Sequence, residues 1–192
     1  MTLGSHQRSI GKSHNHISPQ RITDPFQPIG LDPCAANPRP WDIARINWTS
    51  GSLERDWLRY RHLFIYENPP FDRNEVARWV LKLAEHGNGI ALLHARTETE
   101  WFQIVWQYAS AILFMSDRIK FCKPDGTEQP HNSGAPPVLV AFGDEAVLRL
   151  RRCGIAGTLV TDWRIQPASS PPQQSPSHIE LVAGAVEERR MP

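Results

Sequence analysis

The chain has 192 residues, 40% of them hydrophobic, and its 21 Lys and Arg against 20 Asp and Glu leave a formal net charge of +1. This composition is typical of one soluble domain with a sizeable core, and the balanced charge excludes a polybasic arm, so any nucleic-acid contact must come from a local patch. The three cysteines, Cys34, Cys122 and Cys153, are widely spaced and odd in number, which argues against a structural zinc site and predicts free thiols in a reducing compartment.

The two ends of the chain differ in composition from its middle. Residues 1–17 are rich in Ser, His and Gly, and residues 166–192 begin as a Pro-, Ser- and Gln-rich tail. We therefore predict a disordered head and a mobile tail around one domain over residues 18–165. His6, His14 and His16 lie in the head without an accompanying acid or thiol, which favours a solvated segment over a metal site.

Between these ends, short apolar runs alternate with helical patterns, and this alternation predicts an α/β fold. Two strands are predicted at Pro28-Ile29-Gly30-Leu31 and Leu63-Phe64-Ile65-Tyr66. A helix follows, in which Asp72 and Glu75 mark the start and Gly87 marks the end. Its buried face is predicted from four apolar residues at helical spacing, Val76, Trp79, Val80 and Leu83.

The same pattern then repeats. Gly89 to Leu93 reads as a buried strand, and Trp101 to Ala109 reads as a helix with Thr97 and Glu100 at the spacing of a capping box. Trp101 and Phe102 at the helix start are interpreted as core residues. Two strand-turn-helix units in tandem predict a mostly parallel sheet.

The sequence of the last part of the domain predicts an antiparallel hairpin. Ala111 to Met115 and Val138 to Phe142 are joined by a connection that includes Cys122 to Pro137, a loop rich in Pro and Gly with no helical period. Thr158-Leu159-Val160 is predicted as an edge strand, whereas Trp41 to Tyr60 shows no clear pattern.

Ligands of open α/β sheets bind outside the carboxyl ends of the strands, so the turns that follow strands are the candidate sites. In Asn68-Pro69-Pro70-Phe71, two prolines stiffen the chain and donate no N–H. The Asn68 side-chain oxygen and the Pro69 carbonyl are adjacent acceptors that suit the two hydrogens of an NH₂ group, and Phe71 offers a ring to stack on its heterocycle. The alternative is a linker turn that starts a helix, with Phe71 in the core.

Such a turn has a specific chemical use. The exocyclic amine of adenine is a poor nucleophile because its lone pair is delocalised into the ring. Hydrogen bonds to Asn68 and to the Pro69 carbonyl would favour a tetrahedral nitrogen, whose lone pair attacks a methyl sulfonium in line.

The turn resembles motif IV of the amino-methyltransferases, and further segments are similar to the phage-type DNA N6-adenine methyltransferases of the Dam class. The similar segments occur in the family's order over about residues 18 to 145. They are Leu31-Asp32-Pro33-Cys34-Ala35-Ala36, Asn68-Pro69-Pro70-Phe71, Ala91-Leu92-Leu93-His94-Ala95-Arg96-Thr97-Glu98-Thr99-Glu100-Trp101-Phe102, Ile112-Leu113-Phe114, Arg118-Ile119-Lys120-Phe121, Ala135-Pro136 and Val138-Leu139-Val140-Ala141-Phe142-Gly143.

This resemblance implies a compact Rossmann-like methyltransferase domain that uses S-adenosylmethionine and no metal to methylate adenine in double-stranded DNA. The catalytic residues it implies are Asn68, Pro69, Pro70 and Phe71, which would bind the flipped base. The residues it implies for cofactor binding are Asp32, Pro33, Cys34 and Asn68. Without the resemblance, Asp32 reads equally well as an ordinary turn acid. Cys34 is interpreted as a small packing residue, because amine methylation has no covalent enzyme intermediate.

Arg96, Arg73, Arg118 and Lys120 are the candidates for contacts with DNA phosphates, and the alternative for each is a solvated surface charge. The chain departs from the family at two positions of interest. Phe71 stands where the family more often has Tyr, and His94 stands where Pro is expected. No separate recognition domain fits in the chain, so sequence specificity is expected from loops such as Arg39 to Leu58 or Cys122 to Pro137, or from a partner.

Two alternative functions remain open at this level. The same turn serves enzymes that methylate an RNA base or a protein glutamine amide, and a protein with this fold that has lost turnover would be a DNA-binding module. We found no apolar run near the ~18 residues of a membrane span and no secretory signal, so the expected location is the cytoplasm of a bacterial host, with phage or prophage origin and a role in restriction-modification as further expectations.

Overall fold

The computed structural model describes residues 16–72 and 75–164, and a seven-stranded sheet forms its centre. The strands are β1 (Leu31–Asp32), β2 (Ile46–Asn47), β3 (Ile65–Glu67), β4 (Gly89–His94), β5 (Ala111–Met115), β6 (Pro137–Phe142) and β7 (Gly157–Val160). The α-helices are α1 (Gln20–Thr23), α2 (Val76–His86), α3 (Glu100–Tyr108) and α4 (Asp144–Arg152), and two short 3₁₀ helices cover Asp24–Phe26 and Trp57–Tyr60.

The chain divides into two units, residues 1–162 and residues 163–192, and all of these elements belong to the first. Of the second unit, the structure describes Trp163 and Arg164, so the predicted tail over 166–192 lies outside the described residues. The described part of the predicted head consists of His16 and Ile17. No helix within residues 16–72 and 75–164 has the length and apolar character needed to cross a membrane.

The strand order of the sheet is β2-β1-β3-β4-β6-β5-β7. β2, β1, β3 and β4 pair in parallel, and β4 with β6, β6 with β5 and β5 with β7 pair antiparallel. The α/β prediction and the antiparallel hairpin of β5 and β6 are therefore confirmed, as is the edge strand at 158–160. The prediction of a mostly parallel sheet holds only from β2 to β4, because the pairings from β4 to β7 are antiparallel. The hairpin does not extend the sheet at its edge, however, because β6 is inserted between β4 and β5.

The start of the sheet explains why the chain before Asn68 is difficult to interpret. β1 and β2 have two residues each, and β1 contains only the last residue of the predicted first strand, Leu31. From β1 the chain moves outward to β2 and then crosses back to form β3 on the other side of β1. Connections that leave two neighbouring strands in opposite directions open a crevice at their carboxyl ends, here between Asp32 and Glu67.

The core is built on β4 and β6, the two central strands of six residues each. Every residue of both is buried except the half-buried His94. On one face of the sheet, the side chains of β3, β4, β5 and β6 pack with the segment around α1 and with α4. This cluster includes Phe26, Tyr66, Ile90, Leu92, Leu139 and Leu150.

α2 confirms the helix predicted from sequence. Its four predicted apolar residues are buried, and Gly87 ends it in the left-handed conformation at φ 75°. The structure differs at the start of each predicted helix. The Asp72 backbone carbonyl accepts the first amide hydrogens of α2, and α3 begins after Thr99 without a side-chain cap, so the capping box at Thr97 was wrong. Phe102 is buried as predicted and Trp101 is half-buried.

α4 was not predicted, because only Ala146 and Leu150 of its nine residues are buried. Its charges nevertheless favour a helix, with Asp144 and Glu145 in the first turn and arginines in the last, which complements the helix dipole. Gly143 precedes it with φ 89° and ψ 164°, a conformation that is essentially limited to glycine.

We expect Gly143→Ala to lower the free energy of unfolding by about 3 kcal/mol. A Cβ at this position would lie 2.0 Å from the Gly87 carbonyl oxygen, and neither backbone segment can move without disturbing the end of α2. Urea unfolding followed by circular dichroism measures the loss. Gly134→Ala is the matched control, because a Cβ there meets nothing within 4 Å. Equal stabilities of the two variants would contradict this account of Gly143.

Candidate active site

The turn after β3 holds the Asn68 side chain in one orientation. The Asn68 amide nitrogen donates a hydrogen bond to the His16 backbone carbonyl. The Asn68 Oδ1 atom is buried and has no hydrogen-bond partner among the described residues. Leaving a buried acceptor without a partner costs about 1–3 kcal/mol, so this oxygen is available to a donor that residues 16–72 and 75–164 do not supply.

The partner of Asn68 comes from a segment that the sequence assigned to a solvated head. His16 is half-buried, and the next residue, Ile17, is buried and forms an antiparallel bridge with Cys122. Residues 16–18 therefore lie against the turn at Asn68 and the loop after β5. This contact is not visible in the sequence, because the acceptor is a backbone carbonyl, which every residue type has.

Phe71, the last residue of the turn, lies in a cluster of four rings. It is stacked on His94, with ring centroids 3.8 Å apart and an angle of 16° between the planes. His16 and Phe121 lie farther away and are tilted, at centroid distances of 6.0 and 6.2 Å from Phe71. Phe71 is half-buried and packs against the hydrophobic core, so its ring has fixed neighbours and a partly exposed surface.

Asp32 ends β1, the strand beside β3, and is buried. Its Oδ1 atom accepts a hydrogen bond of 2.8 Å from the Cys34 backbone N–H. Burial raises the pKa of Asp32 to about 7, against the opposing effects of that hydrogen bond and of the Arg39 charge. At neutral pH, Asp32 is therefore protonated in a large fraction of the molecules. A nearby cation would favour its ionised form.

Cys34 lies between the carboxyl ends of β1 and β3. Its sulfur is within hydrogen-bond reach of the Asn68 backbone N–H, and burial together with the charges of Glu67 and Asp32 holds its pKa well above the usual value. A thiol in this state does not act as a nucleophile. The structure is thus compatible with a packing role for Cys34 between the first strand and the turn.

Glu67 is a buried carboxyl group that was not predicted from the sequence. Its residue is fully buried, and neither carboxylate oxygen has a hydrogen-bond partner among the described residues. Burial, followed by the Asp32 charge, raises the pKa of Glu67 well above the ordinary value. No pattern could have revealed it, because a glutamate before a turn reads as a solvated charge until its neighbouring strands are known.

A cavity of about 360 Å³ opens at the carboxyl ends of β1, β2 and β3. Its lining includes Pro33, Cys34, Trp48, Asn68, Pro70 and Trp79. A smaller cavity of about 40 Å³, with room for water, shares part of this lining. Asp32 and Tyr66 line the smaller cavity, and Cys34 and Asn68 line both.

A family model described as DNA N-6-adenine-methyltransferase (Dam) matches residues 20–149. The chain belongs to this family. Membership gives the class of activity as methylation of adenine in DNA, and it confirms the resemblance found in the sequence. No curated protein and no solved structure matches the chain. The matched range of the Dam family includes Asp32, the Asn68–Phe71 turn and His94.

Three arginines and one lysine of this Dam-family chain were candidates for DNA contact. They lie in different environments. Arg96 is exposed in the turn after β4. Arg118 donates hydrogen bonds of 3.0 and 3.1 Å to the carbonyls of Ser133 and Gly134, so it holds the loop before β6. Lys120 is half-buried in the segment after β5, and Arg73 lies outside the described residues.

Within residues 16–72 and 75–164, no group of three or more His, Cys, Asp and Glu side chains could hold a metal ion. The ionisable groups around the turn, Asp32, Cys34 and Glu67, are instead brought together by the neighbouring ends of β1 and β3.

Proposed function

We propose that the chain transfers a methyl group from S-adenosylmethionine to the N6 amine of an adenine that is flipped out of double-stranded DNA. One observation carries this proposal: the Asn68 amide is oriented by the His16 carbonyl, and its Oδ1 atom is left as a buried acceptor at the cavity. An NH₂ group needs such an acceptor, and an adenine in DNA is the amine that the Dam family methylates.

The turn accounts for the orientation of the amine. Asn68 Oδ1 would accept one N6 hydrogen, and the Pro69 carbonyl would accept the other. Two acceptors on one stiff turn draw the amine out of conjugation with the ring and direct its lone pair toward the cavity. The geometry is set before the base arrives, because the two prolines restrict the backbone and the His16 carbonyl restricts the side chain.

Phe71 would stack on the flipped adenine. Its ring is half-buried and follows the two prolines directly, so a base bound to Asn68 lies within reach of its face. Aromatic stacking contributes about 1–3 kcal/mol per base and needs no hydroxyl, so Phe in place of the family's Tyr is consistent with activity. Flipping is required because the N6 amine is paired and stacked inside the duplex.

The cavity at the ends of β1, β2 and β3 fits the cofactor in position, size and chemistry. Its volume of about 360 Å³ lies within the range of small-molecule sites, and Asn68 lines it together with Pro33 and Cys34. S-adenosylmethionine, when bound, supplies a methyl group activated by a positively charged sulfur. Asp32 lines the smaller cavity, which shares Cys34 and Asn68 with the larger one, and from there its carboxylate would attract that charge or accept hydrogen bonds from the cofactor's amino group. The crevice between β1 and β3 supports a Rossmann-like interpretation of the fold.

The proposed reaction is tested by radiolabelled methyl transfer from S-adenosylmethionine to unmethylated plasmid DNA, followed by digestion to nucleosides. The label is expected in N6-methyldeoxyadenosine, and sequencing of the methylated plasmid is expected to show one shared context around the modified adenines. Parallel reactions contain total RNA or ribosomal protein. Label in RNA or protein but not in DNA would contradict the proposed acceptor, as would cofactor binding without transfer to any of the three.

Arg96 is exposed at the carboxyl end of β4 and is a candidate for a phosphate contact. We expect Arg96→Ala to raise the KM for plasmid DNA about 3- to 10-fold and to reduce the slope of log affinity against log salt by about 1. Filter binding between 50 and 200 mM NaCl would measure that slope. Arg61→Ala is the control, because Arg61 is also exposed but precedes β3 at the opposite edge of the sheet. Equal effects of the two variants would exclude a specific role for Arg96.

A further inference from the structure

The Phe71 ring is already stacked before any base is present. The centroid distance of 3.8 Å to His94 and the interplanar angle of 16° describe a nearly parallel contact over one face of the ring. An aromatic ring has two faces, and each can hold one flat partner. The face that His94 covers is therefore occupied.

The His94 side of this contact is the rigid side. His94 is the last residue of β4, where it pairs with Pro137 of β6, and the next residue donates a backbone hydrogen bond of 2.8 Å to the Pro136 carbonyl. Phe71, by contrast, lies in the turn after β3 and belongs to no strand. The backbone of His94 could move away from Phe71 only if the pairing of β4 with β6 changed. Phe71 has no strand pairing to hold it, so without His94 its ring would be free to move.

The chemical state of His94 suits a stacking partner. Burial, followed by the charges of Arg96 and His16, lowers the pKa of His94 to about 4, so the imidazole is neutral at physiological pH. Its Nε2 atom is buried and has no hydrogen-bond partner among the described residues. The ring therefore acts here through its flat face and its volume.

We propose that His94 is a positioning residue that covers one face of Phe71 and fixes this ring so that the flipped adenine stacks on the other face. This inference rests on the proposed function and adds to it a three-layer stack of base, Phe71 and His94. It also assigns a role to a residue at which the chain departs from the family pattern. His94 contacts the base only through Phe71, so its effect is on how the bound base is oriented.

Two substitutions that both fill the space of the imidazole provide the test. His94→Phe keeps a flat ring against Phe71, and His94→Leu keeps volume without a plane. The readouts are kcat and the KM for unmethylated plasmid DNA, the Kd for S-adenosylmethionine by calorimetry, and the Tm. We expect His94→Leu to lower kcat about tenfold, His94→Phe to stay within about threefold of the wild type, and the cofactor Kd to change less than twofold in both.

The outcomes are distinguishable. Wild-type protein that methylates no DNA contradicts the proposed function itself. Active wild-type protein with an unchanged kcat in His94→Leu contradicts the role of His94 alone, and so does a His94→Phe variant as impaired as His94→Leu. A variant faster than the wild type would mean that His94 occupies the place of the base in the free protein, which also overturns the proposal. A Tm loss without a change in kcat indicates a purely structural residue and has the same consequence.

Discussion

Replacement of Asn68 by alanine is expected to lower methyl transfer about 100- to 1000-fold at saturating DNA and cofactor. The substitution removes the buried Oδ1 acceptor, so nothing draws the adenine amine out of conjugation, while the Pro69 carbonyl and the Phe71 ring remain. Binding of DNA and of S-adenosylmethionine should change less than about threefold, because phosphate contacts and the cavity walls supply most of each affinity. Radiolabel incorporation measures kcat, and filter binding and calorimetry measure the two affinities.

Asn68→Asp is the sharper comparison for the same site. An aspartate keeps one acceptor for the amine, but its second oxygen would face the His16 carbonyl, to which Asn68 now donates a hydrogen bond. Two acceptors repel unless the acid is protonated, so we expect activity between those of wild type and Asn68→Ala, and higher at pH 6 than at pH 8. If Asn68→Ala retains wild-type kcat, the turn does not activate the amine. If Asn68→Asp equals the wild type at both pH values, the His16 carbonyl does not orient the side chain.

Asp32→Asn is expected to weaken cofactor binding about 10- to 100-fold at pH 8, because a charge-assisted interaction contributes about 1.5–3 kcal/mol. The amide still accepts the hydrogen bond from the Cys34 N–H, so the backbone of the turn after β1 is preserved. Since the pKa of Asp32 is about 7, the wild-type affinity for the cationic cofactor should rise between pH 6 and pH 8. Calorimetry across this range should show that rise in the wild type and a flat profile in Asp32→Asn.

The same substitution should stabilise the protein. The pKa of Asp32 is raised from 3.8 to about 7 on folding, so the folded state binds this proton more tightly than the unfolded state does. The corresponding stability is fully present below about pH 4 and is lost as the pH rises through 7. At pH 8 the buried carboxylate then costs on the order of 3 to 4 kcal/mol, which Asp32→Asn removes. Urea unfolding should show equal stabilities near pH 4 and a growing advantage of Asp32→Asn toward pH 8.

Glu67→Gln distinguishes the effect of Asp32 on cofactor affinity from its effect on stability. Burial raises the pKa of Glu67 as well, so this variant should also become more stable than the wild type as the pH rises. Glu67 does not line either of the two cavities, and its substitution should leave the cofactor Kd unchanged. Wild-type cofactor affinity in Asp32→Asn, or a stability difference that does not vary with pH, would contradict the role assigned to Asp32.

Much of the fold and the centre of the site followed from short stretches of sequence. α2 was predictable because four apolar residues at helical spacing and a terminal glycine specify a helix locally, whatever it packs against. The stiffness of Asn68-Pro69-Pro70-Phe71 is likewise a property of adjacent residues, and its place after a buried strand was visible in the apolar run before it. α4 was not predicted, because two buried residues in nine give too weak a hydrophobic periodicity.

Only the tertiary structure decided the contacts between residues that are far apart in the chain. The insertion of β6 between β4 and β5 depends on which strand edges remain free, and no local pattern encodes that choice. The same holds for the His16 carbonyl at Asn68, for the burial of Glu67 and for the His94 ring on Phe71. The sequence by itself determined which groups can do chemistry, because stiffness, charge and periodicity are local. The strand order determined which of them meet, because it sets contacts across the whole chain.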